Sequence, residues 1–471
     1  MGGSLHRTGS LPDLRSIADM SLKKVSHVSK NESEAESEPG AKIGYKFKPL
    51  PPIPGTSSNI NNTGLYETID GLSKLSKNAV TKTESIESNK RKTFKEIATI
   101  LTLVPRLTTN SVRSRKNDHR LAEISNYLPD KKLKIFVGTW NMKGTKFLPS
   151  SLDDFLLPPE SIYLQDVYVI GTQEGTPFRR EWQVRLQETF GPSHVLMQSS
   201  NFGVLQLSIF VRRELVWFCS SVEQDTIATR VGHKIKTKGA LAMSFSIFGT
   251  SLCFITSHFT SDKEKLSQRI NDYRTINRGI RLPVIPGTKN YENSDVTDRF
   301  DRVFWFGDFN FRIQKSRESV DRIMKRHARD QPLIIRELLT HDQLNEVFDR
   351  GKIFHGFKEN EITFMPTYKF DVNTDVYDSS PKKRVPSWTD RIVYKSPQLS
   401  LLKCLYYNSC NTIKVSDHRP VYGIFESEVE PYKNNFQVHG ATFDREVYVE
   451  ANLRRNAPSG SQANSHVCTI L

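Results

Sequence analysis

The stretch Val303–Phe311, VFWFGDFNF, decides how the rest of the chain is read. Five of its nine residues are aromatic, the signature of a buried strand. Yet Asp308 and Asn310 stand inside it, directly after Gly307. A carboxylate buried without a partner is costly, or its pKa is forced upward. An acid and an amide in such a run call for a reason beyond packing.

Moving outward, the same pattern recurs. KKLKIFVGTWNM (131–142) runs into Asn141, DVYVIGTQE (166–174) into Glu174, and SLCFITSHF (251–259) into His258. WTDRIVY carries Asp390 and Arg391 into a strand, and SDHRPVYGIF carries Asp417 and His418 into another. LSIFVRR (207–213), ALAMSFSIF (240–248) and RPVYGIFE (419–426) also read as strands. Residues 261–280 read as a helix capped by Ser261, with further helices at 317–328 and within 331–350. Strands and helices mix without steady βαβ alternation. That predicts an α+β sandwich of two packed sheets over about 126–430, rather than a doubly wound sheet. One acid at a strand end is usually a turn or a cap. Six such ends, if they converge, make one polar pocket at the sandwich rim.

The remaining segments differ in character. Residues 1–125 are rich in Ser, Asn, Lys, Glu and Pro and read as a disordered arm. Within it, KPLPPIPG (48–55) is a polyproline-like run, a stiff linker or an SH3-type ligand at 48–54. Residues 90–120 hold nine Lys/Arg against two acids, a basic linker or a membrane-surface contact. Net charge over the 471 residues is +15, which implies an anionic partner without saying which. The five cysteines show no CxxC pairing, which argues against a zinc site or disulfide framework and fits a reducing compartment. There is no eighteen-residue apolar run, and MGGSLHRTGS has no signal-peptide core. His6 stands where a myristoylation signal wants Ser or Thr. The 431–471 tail ends in CTIL, so Cys468 fits a C-a-a-X prenylation box whose final leucine favours geranylgeranyl.

The polar inventory suits metal-assisted phosphate hydrolysis. Glu174, with Asn141 beside it, offers oxygen to a hard cation such as Mg2+. Asp308 can orient or deprotonate water, and Asn310 can hydrogen-bond a phosphoryl oxygen. His418 with Asp417 beside it reads as an oriented imidazolium. No serine elbow, P-loop or HExxH motif competes.

Taken together, GTWNM, TQEG, SHF, GDFN, PSWTDRI and SDHRPVYG resemble the inositol polyphosphate 5-phosphatases of the endonuclease/exonuclease/phosphatase superfamily. The likeness covers roughly 131–428. The basic arm and terminal Cys box resemble the prenylated, cilium-associated branch of that family. The resemblance implies a DNase I-like four-layer αββα sandwich, Mg2+ dependence, and removal of the 5-phosphate from phosphatidylinositol 4,5-bisphosphate and 3,4,5-trisphosphate at the cytosolic face of membranes. It further implies ciliary and Golgi locations, a prenyl-binding carrier as partner, and no nucleic acid. Carried over by motif, Glu174 and Asn141 serve the metal, Asp308 activates water, and Asn310 and His258 hold the scissile phosphate. Asp417 and His418 form the transition-state pair, supported by Asp390. Tyr368, Lys369, Lys382 and Arg384 meet the 4-phosphate, Arg269 lies near the 1-phosphate, and Arg391 joins the substrate contacts. Thr389 departs from the pattern, standing where many members have Cys. Two rivals remain open: a superfamily nuclease, which net +15 would suit, and a catalytically silent membrane scaffold.

Overall fold

The structure is a computed structural model that describes residues 124–161, 164–230, 238–283, 295–429 and 441–457. The polyproline run, the 90–120 arm and Cys468 lie outside the described residues.

Two six-stranded sheets form the centre. The first contains β1 (Lys132–Asn141), β2 (Val167–Gln173), β3 (His194–Phe202), β4 (Leu205–Arg212), β11 (Leu402–Ser409) and β12 (Val421–Glu428) in the order β11-β12-β1-β2-β4-β3. The second contains β5 (Glu223–Ala228), β6 (Gly239–Ile247), β7 (Thr250–His258), β8 (Arg302–Asp308), β9 (Lys358–Glu359) and β10 (Asp390–Lys395) in the order β5-β6-β7-β8-β10-β9. Each sheet has one parallel pair at its heart, β1–β2 and β7–β8. The other pairs are antiparallel, as the lack of βαβ alternation led us to expect.

Helices cover both outer faces. On the first sheet, α1 (Asp153–Leu156), α2 (Arg179–Phe190) and α7 (Arg445–Arg455) pack over Phe136, Trp140, Tyr168 and Phe210. On the second, α3 (Leu266–Gly279) and α6 (Gln343–Asp349) pack over Cys253, Ile255, Val303 and Trp305. Two further helices, α4 (Arg317–Arg326) and α5 (Gln331–Leu339), precede α6. This is the four-layer αββα sandwich of the DNase I type. The central strands are buried on both sides, so they read as continuous apolar runs. Between the sheets, Phe304 stacks edge-on to Phe425 at 5.0 Å, and Gln173 Nε2 donates to Thr256 Oγ1 at 3.1 Å. Gly171 lets them close: a Cβ there would meet Thr256 Oγ1 at 2.5 Å.

Three local expectations are corrected. The 261–280 helix starts only at Leu266, and Ser261 does not cap it. The preceding turn instead folds around Arg269, whose guanidinium takes the carbonyls of Thr260, Asp262 and Lys263. The tail contains α7, capped by Asp444 and pinned to α2 by Arg180–Glu450 and Arg454–Glu181 ion pairs at 3.2 and 2.8 Å. Its signal, an Asp N-cap followed by Val447, Tyr448 and Ala451 at helical spacing, was present in the sequence. All four edge strands, β3, β5, β9 and β11, also went unread; in β5 and β11 exposed polar residues interrupt the alternation.

Candidate active site

The chemistry-bearing strand ends converge. The register of the second sheet sets Gly239, His258, Asp308 and Asp390 side by side in one cross-strand row. In the first sheet Asn141 pairs with Gln173, one residue before Glu174. The two sheets meet where Asn141 Nδ2 donates to Asp308 Oδ2 at 2.9 Å. The 416–418 turn is tied to β1 by Ser416 Oγ donating to the Asn141 carbonyl at 2.7 Å and Trp140 Nε1 donating to the His418 carbonyl at 3.2 Å. Gly307 makes the row possible. Its φ is +144°, and a Cβ there would lie 2.0 Å from the Ser257 carbonyl.

Asp308 is buried, and burial alone would raise its carboxyl. The hydrogen bond with His258 Nε2 at 3.2 Å, with positive charge at His418 and Lys238, outweighs that and holds it well below the usual carboxylate range. Its other oxygen accepts the Asn310 N–H at 3.0 Å. Asn310 is held in the left-handed region (φ 58°), its Nδ2 donating to the Phe259 carbonyl at 3.2 Å and its Oδ1 accepting from Arg312. Backbone strain of this kind is concentrated at functional sites.

His258 and His418 are driven in opposite directions. Burial pushes the His258 imidazole below its ordinary value, and the neighbouring Lys238 pushes it further. Burial also lowers His418, but the charge and hydrogen bond of Asp390, with Asp308 and Asp417 behind it, bring it up to about 10. The Asp390 Oδ2–His418 Nδ1 distance is 2.9 Å, and the same oxygen accepts from Thr367 at 3.0 Å and Thr389 at 2.9 Å. His418 is therefore an imidazolium at neutral pH, with Nδ1 engaged and Nε2 left for a ligand. The carboxylate that orients it is Asp390. Asp417, expected in that place, instead pairs with Lys143 at 3.5 Å.

Donor atoms of Asp308, Asp390 and His418 lie within 4.8 Å of one another, close enough to hold an ion. His418 Nδ1 and Asp390 Oδ2 already bond each other, and Thr367 and Thr389 donate to the same oxygen, an arrangement that suits a charge and proton set. The oxygens that suit a cation are the Glu174 carboxylate, which has no hydrogen-bond partner among the described residues, and Asn141 Oδ1, which accepts the Lys143 N–H at 3.0 Å. An all-oxygen set of this type fits a hard divalent ion.

Of the expected ring-phosphate contacts, Tyr368 packs 4.5 Å from the His418 ring, and the Arg312 guanidinium lies over the Tyr368 ring at 4.3 Å. Lys369 pairs with Asp378 at 3.1 Å, Arg384 with Asp262 at 3.4 Å, and Lys382 is exposed. Burial raises the Asp378 carboxyl, but hydrogen bonds from the Arg384 backbone, Ser380 and Lys369 hold it down to about 2. Arg317 organises this loop by donating to the carbonyls of Asp378 and Arg384 at 2.9 and 3.0 Å.

Two arginines are not brought to the pocket. Arg391 is fully buried, its guanidinium spent on Glu359 (2.5 Å), Asp342 (2.9 Å) and Asn345 (3.2 Å). Arg269 is equally enclosed, bound to three carbonyls and Gln343. Both are braces. Sequence reasoning in turn missed Lys238, whose ammonium meets His258 Nε2 and which burial brings down to about 8 against the pull of Asp308 and Glu174. In the basic run HKIKTKGAL (233–241) nothing marked this lysine out. Arg312 was missed too, one residue beyond the quoted stretch.

Residues 138–424 match endonuclease/exonuclease/phosphatase family 2, and the chain belongs to that family. Within it, the relatives are inositol polyphosphate 5-phosphatases. The chain is 49% identical over 358 residues to the rat phosphatidylinositol polyphosphate 5-phosphatase type IV and 48% identical over the same length to the human one. These alignments cover 74% of this chain and 55% of each relative, so the chain spans about half their length. The inositol polyphosphate 5-phosphatase domain of SPsynaptojanin, solved with inositol (1,4)-bisphosphate and a calcium ion, superposes with a TM-score of 0.56 at 32% identity. That match covers 72% of this chain and 96% of the other. Cimex nitrophorin, solved as a ferrous NO complex, has a TM-score of 0.50 at 25% identity over 64% of this chain and the whole of its own. The fold alone therefore does not set the chemistry; the residues of the site do.

Proposed function

We propose that this protein hydrolyses the 5-phosphate of phosphoinositides, with phosphatidylinositol 4,5-bisphosphate and 3,4,5-trisphosphate as substrates. The observation that carries this reading is the row His258–Asp308–Asp390 with His418 held cationic at its end. The scissile phosphate lies against His258, Asn310 and Lys238. Ionised Asp308 accepts a hydrogen bond from the attacking water, orients it, and takes its proton as the new P–O bond forms. His418 stabilises the charge that develops on the phosphoryl oxygens and gives its proton to the departing ring oxygen. Asp390 keeps it charged until that moment. Tyr368, Lys369, Lys382 and Arg384 meet the 4-phosphate, where Lys369 and Arg384 share their present carboxylate partners with it.

Glu174 and Asn141 would hold Mg2+, which supplies Lewis-acid neutralisation of phosphate charge. The lipid substrate places the work at the cytosolic leaflet, and the family likeness of the sequence supports cilium and Golgi membranes. The test is phosphate release by Asp308→Ala and His418→Ala, with near-UV circular dichroism as the fold control. Each variant should lose ~10²–10⁴-fold in turnover. Near-wild-type turnover in either one overturns the role assigned to that residue.

A further inference from the structure

Arg312 stands two residues beyond Asn310 and is buried, only 6% exposed. Its guanidinium grips Asn310 twice: Nε donates to the Asn310 carbonyl at 3.0 Å, and Nη2 donates to Asn310 Oδ1. A guanidinium only donates, so the amide oxygen must face Arg312. The amide nitrogen must then face the Phe259 carbonyl, 3.2 Å away. One Nδ2 hydrogen is spent there, and the other keeps its freedom to donate. A flipped amide would offer an oxygen in that place, and an oxygen repels a phosphate.

The same guanidinium lies over the Tyr368 ring at 4.3 Å, within cation–π range. Tyr368 in turn packs against the His418 ring at 4.5 Å. Arg312 thus touches both the amide expected at the scissile phosphate and the ring expected at the 4-phosphate. Its own backbone is anchored to the start of α6, where its N–H donates to Gln343 Oε1 at 3.0 Å and its carbonyl accepts the Gln343 N–H at 3.1 Å. Other buried arginines nearby are compensated. Arg391 is neutralised by Asp342 and Glu359, and Arg269 meets three carbonyls and Gln343. Arg312 has no carboxylate partner among the described residues, and Asn310 supplies both of its side-chain acceptors. Burying a cation without a counter-charge is costly. Bracing alone does not call for that charge, whereas an anion bound beside Asn310 does.

Resting on the hydrolytic reading, we propose that Arg312 is a positioning residue that couples the two phosphate sites. It sets the Asn310 amide for the 5-phosphate and ties that setting to Tyr368. The 4- and 5-phosphates sit on adjacent ring carbons, so a 4-phosphate held at Tyr368 steadies Arg312 and, through it, Asn310. The 4-phosphate then raises the rate of 5-phosphate removal as well as the affinity.

The test compares wild type with Arg312→Lys, which keeps a positive charge and loses the planar fork. Substrates are short-chain phosphatidylinositol 4,5-bisphosphate and phosphatidylinositol 5-phosphate. In wild type the 4-phosphate should raise kcat. Arg312→Lys should lose ~10²-fold in kcat on the 4,5-bisphosphate and turn the two substrates over at the same rate. A wild-type kcat that the 4-phosphate leaves unchanged, or an equal fold-loss on both substrates, overturns the coupling. A change confined to KM makes Arg312 a binding contact and overturns the positioning role. Solvent exchange of the Asn310 Hδ2 protons, followed by NMR and assigned by their loss in Asn310→Asp, needs no turnover. It should quicken in Arg312→Lys, and also in Tyr368→Leu, which serves if the lysine variant does not fold by near-UV circular dichroism. Unchanged exchange in a folded variant overturns the clamp. Absence of 5-phosphate release by the wild type is a separate result that defeats the hydrolytic reading, and the exchange measurement still decides the clamp.

Discussion

Replacing Asp390 by Asn removes the charge that keeps His418 protonated while leaving a side chain of the same shape. Asp390 Oδ2 lies 2.9 Å from His418 Nδ1, in a pair that is almost wholly buried. A rise from 6.5 to about 10 corresponds to roughly 5 kcal/mol in favour of the imidazolium. Because the folded value is the higher one, this contribution to stability is complete below 6.5 and is lost as pH rises through about 10. In the variant, burial acts against only Asp308 and Asp417, and the imidazole returns toward its ordinary value. If it titrates near 6.5, about 3% stays protonated near pH 8, an approximately 30-fold loss of kcat/KM from this cause alone. Near pH 6 that loss falls below twofold. The assay is kcat/KM on soluble inositol 1,4,5-trisphosphate between pH 6 and 10, with the His418 ring nitrogens followed by NMR. The wild type should hold its activity until Lys238 loses its proton near pH 8, and the variant should lose it earlier, near neutrality. An equal loss at all pH values, or a wild-type His418 that titrates near 6.5, rules out Asp390 as the group that keeps His418 charged.

Other consequences can be checked in the same way. Lys238→Met removes the buried cation beside His258 and Asp308 and should lower turnover by about 10²-fold with unchanged thermal stability, read by phosphate release and melting. Arg391→Met strands Asp342 and Glu359 and should cost about 3–5 kcal/mol in urea unfolding. If Arg391 bound substrate, the variant would instead raise KM at unchanged stability. Gly307→Ala drives a Cβ to 2.0 Å from the Ser257 carbonyl, so soluble folded yield should collapse. Lys369→Ala should lower kcat/KM selectively for substrates that carry a 4-phosphate, by about tenfold or more. An equal loss on substrates lacking that phosphate would mean general charge.

The sheets and most of the site were legible because both rest on local signals. A strand buried on both faces is a continuous apolar run, so a polar residue at its end stands out, as Asp308 does after Phe304, Trp305 and Phe306. What stayed hidden depended on partners distant in sequence. Asp417 is the acid beside His418 in the sequence, and only the folded structure puts Asp390, 28 residues away, against the imidazole. Arg391 and Arg269 look like free cations in motif surroundings, and only packing shows that Glu359, Asp342 and the 260–263 carbonyls consume them. Lys238 is one lysine among many in a chain of net charge +15, and its meaning comes from the desolvation it suffers beside His258.

The most direct test of the central claim is the position of the phosphate removed. The purified full chain would be incubated with Mg2+ and short-chain phosphatidylinositol 4,5-bisphosphate, and the product resolved by regioisomer. The expected product is phosphatidylinositol 4-phosphate, formed only with the divalent ion and lost in Asp308→Ala. Release from the 4-position, or no release while abasic DNA is nicked under the same conditions, would contradict it.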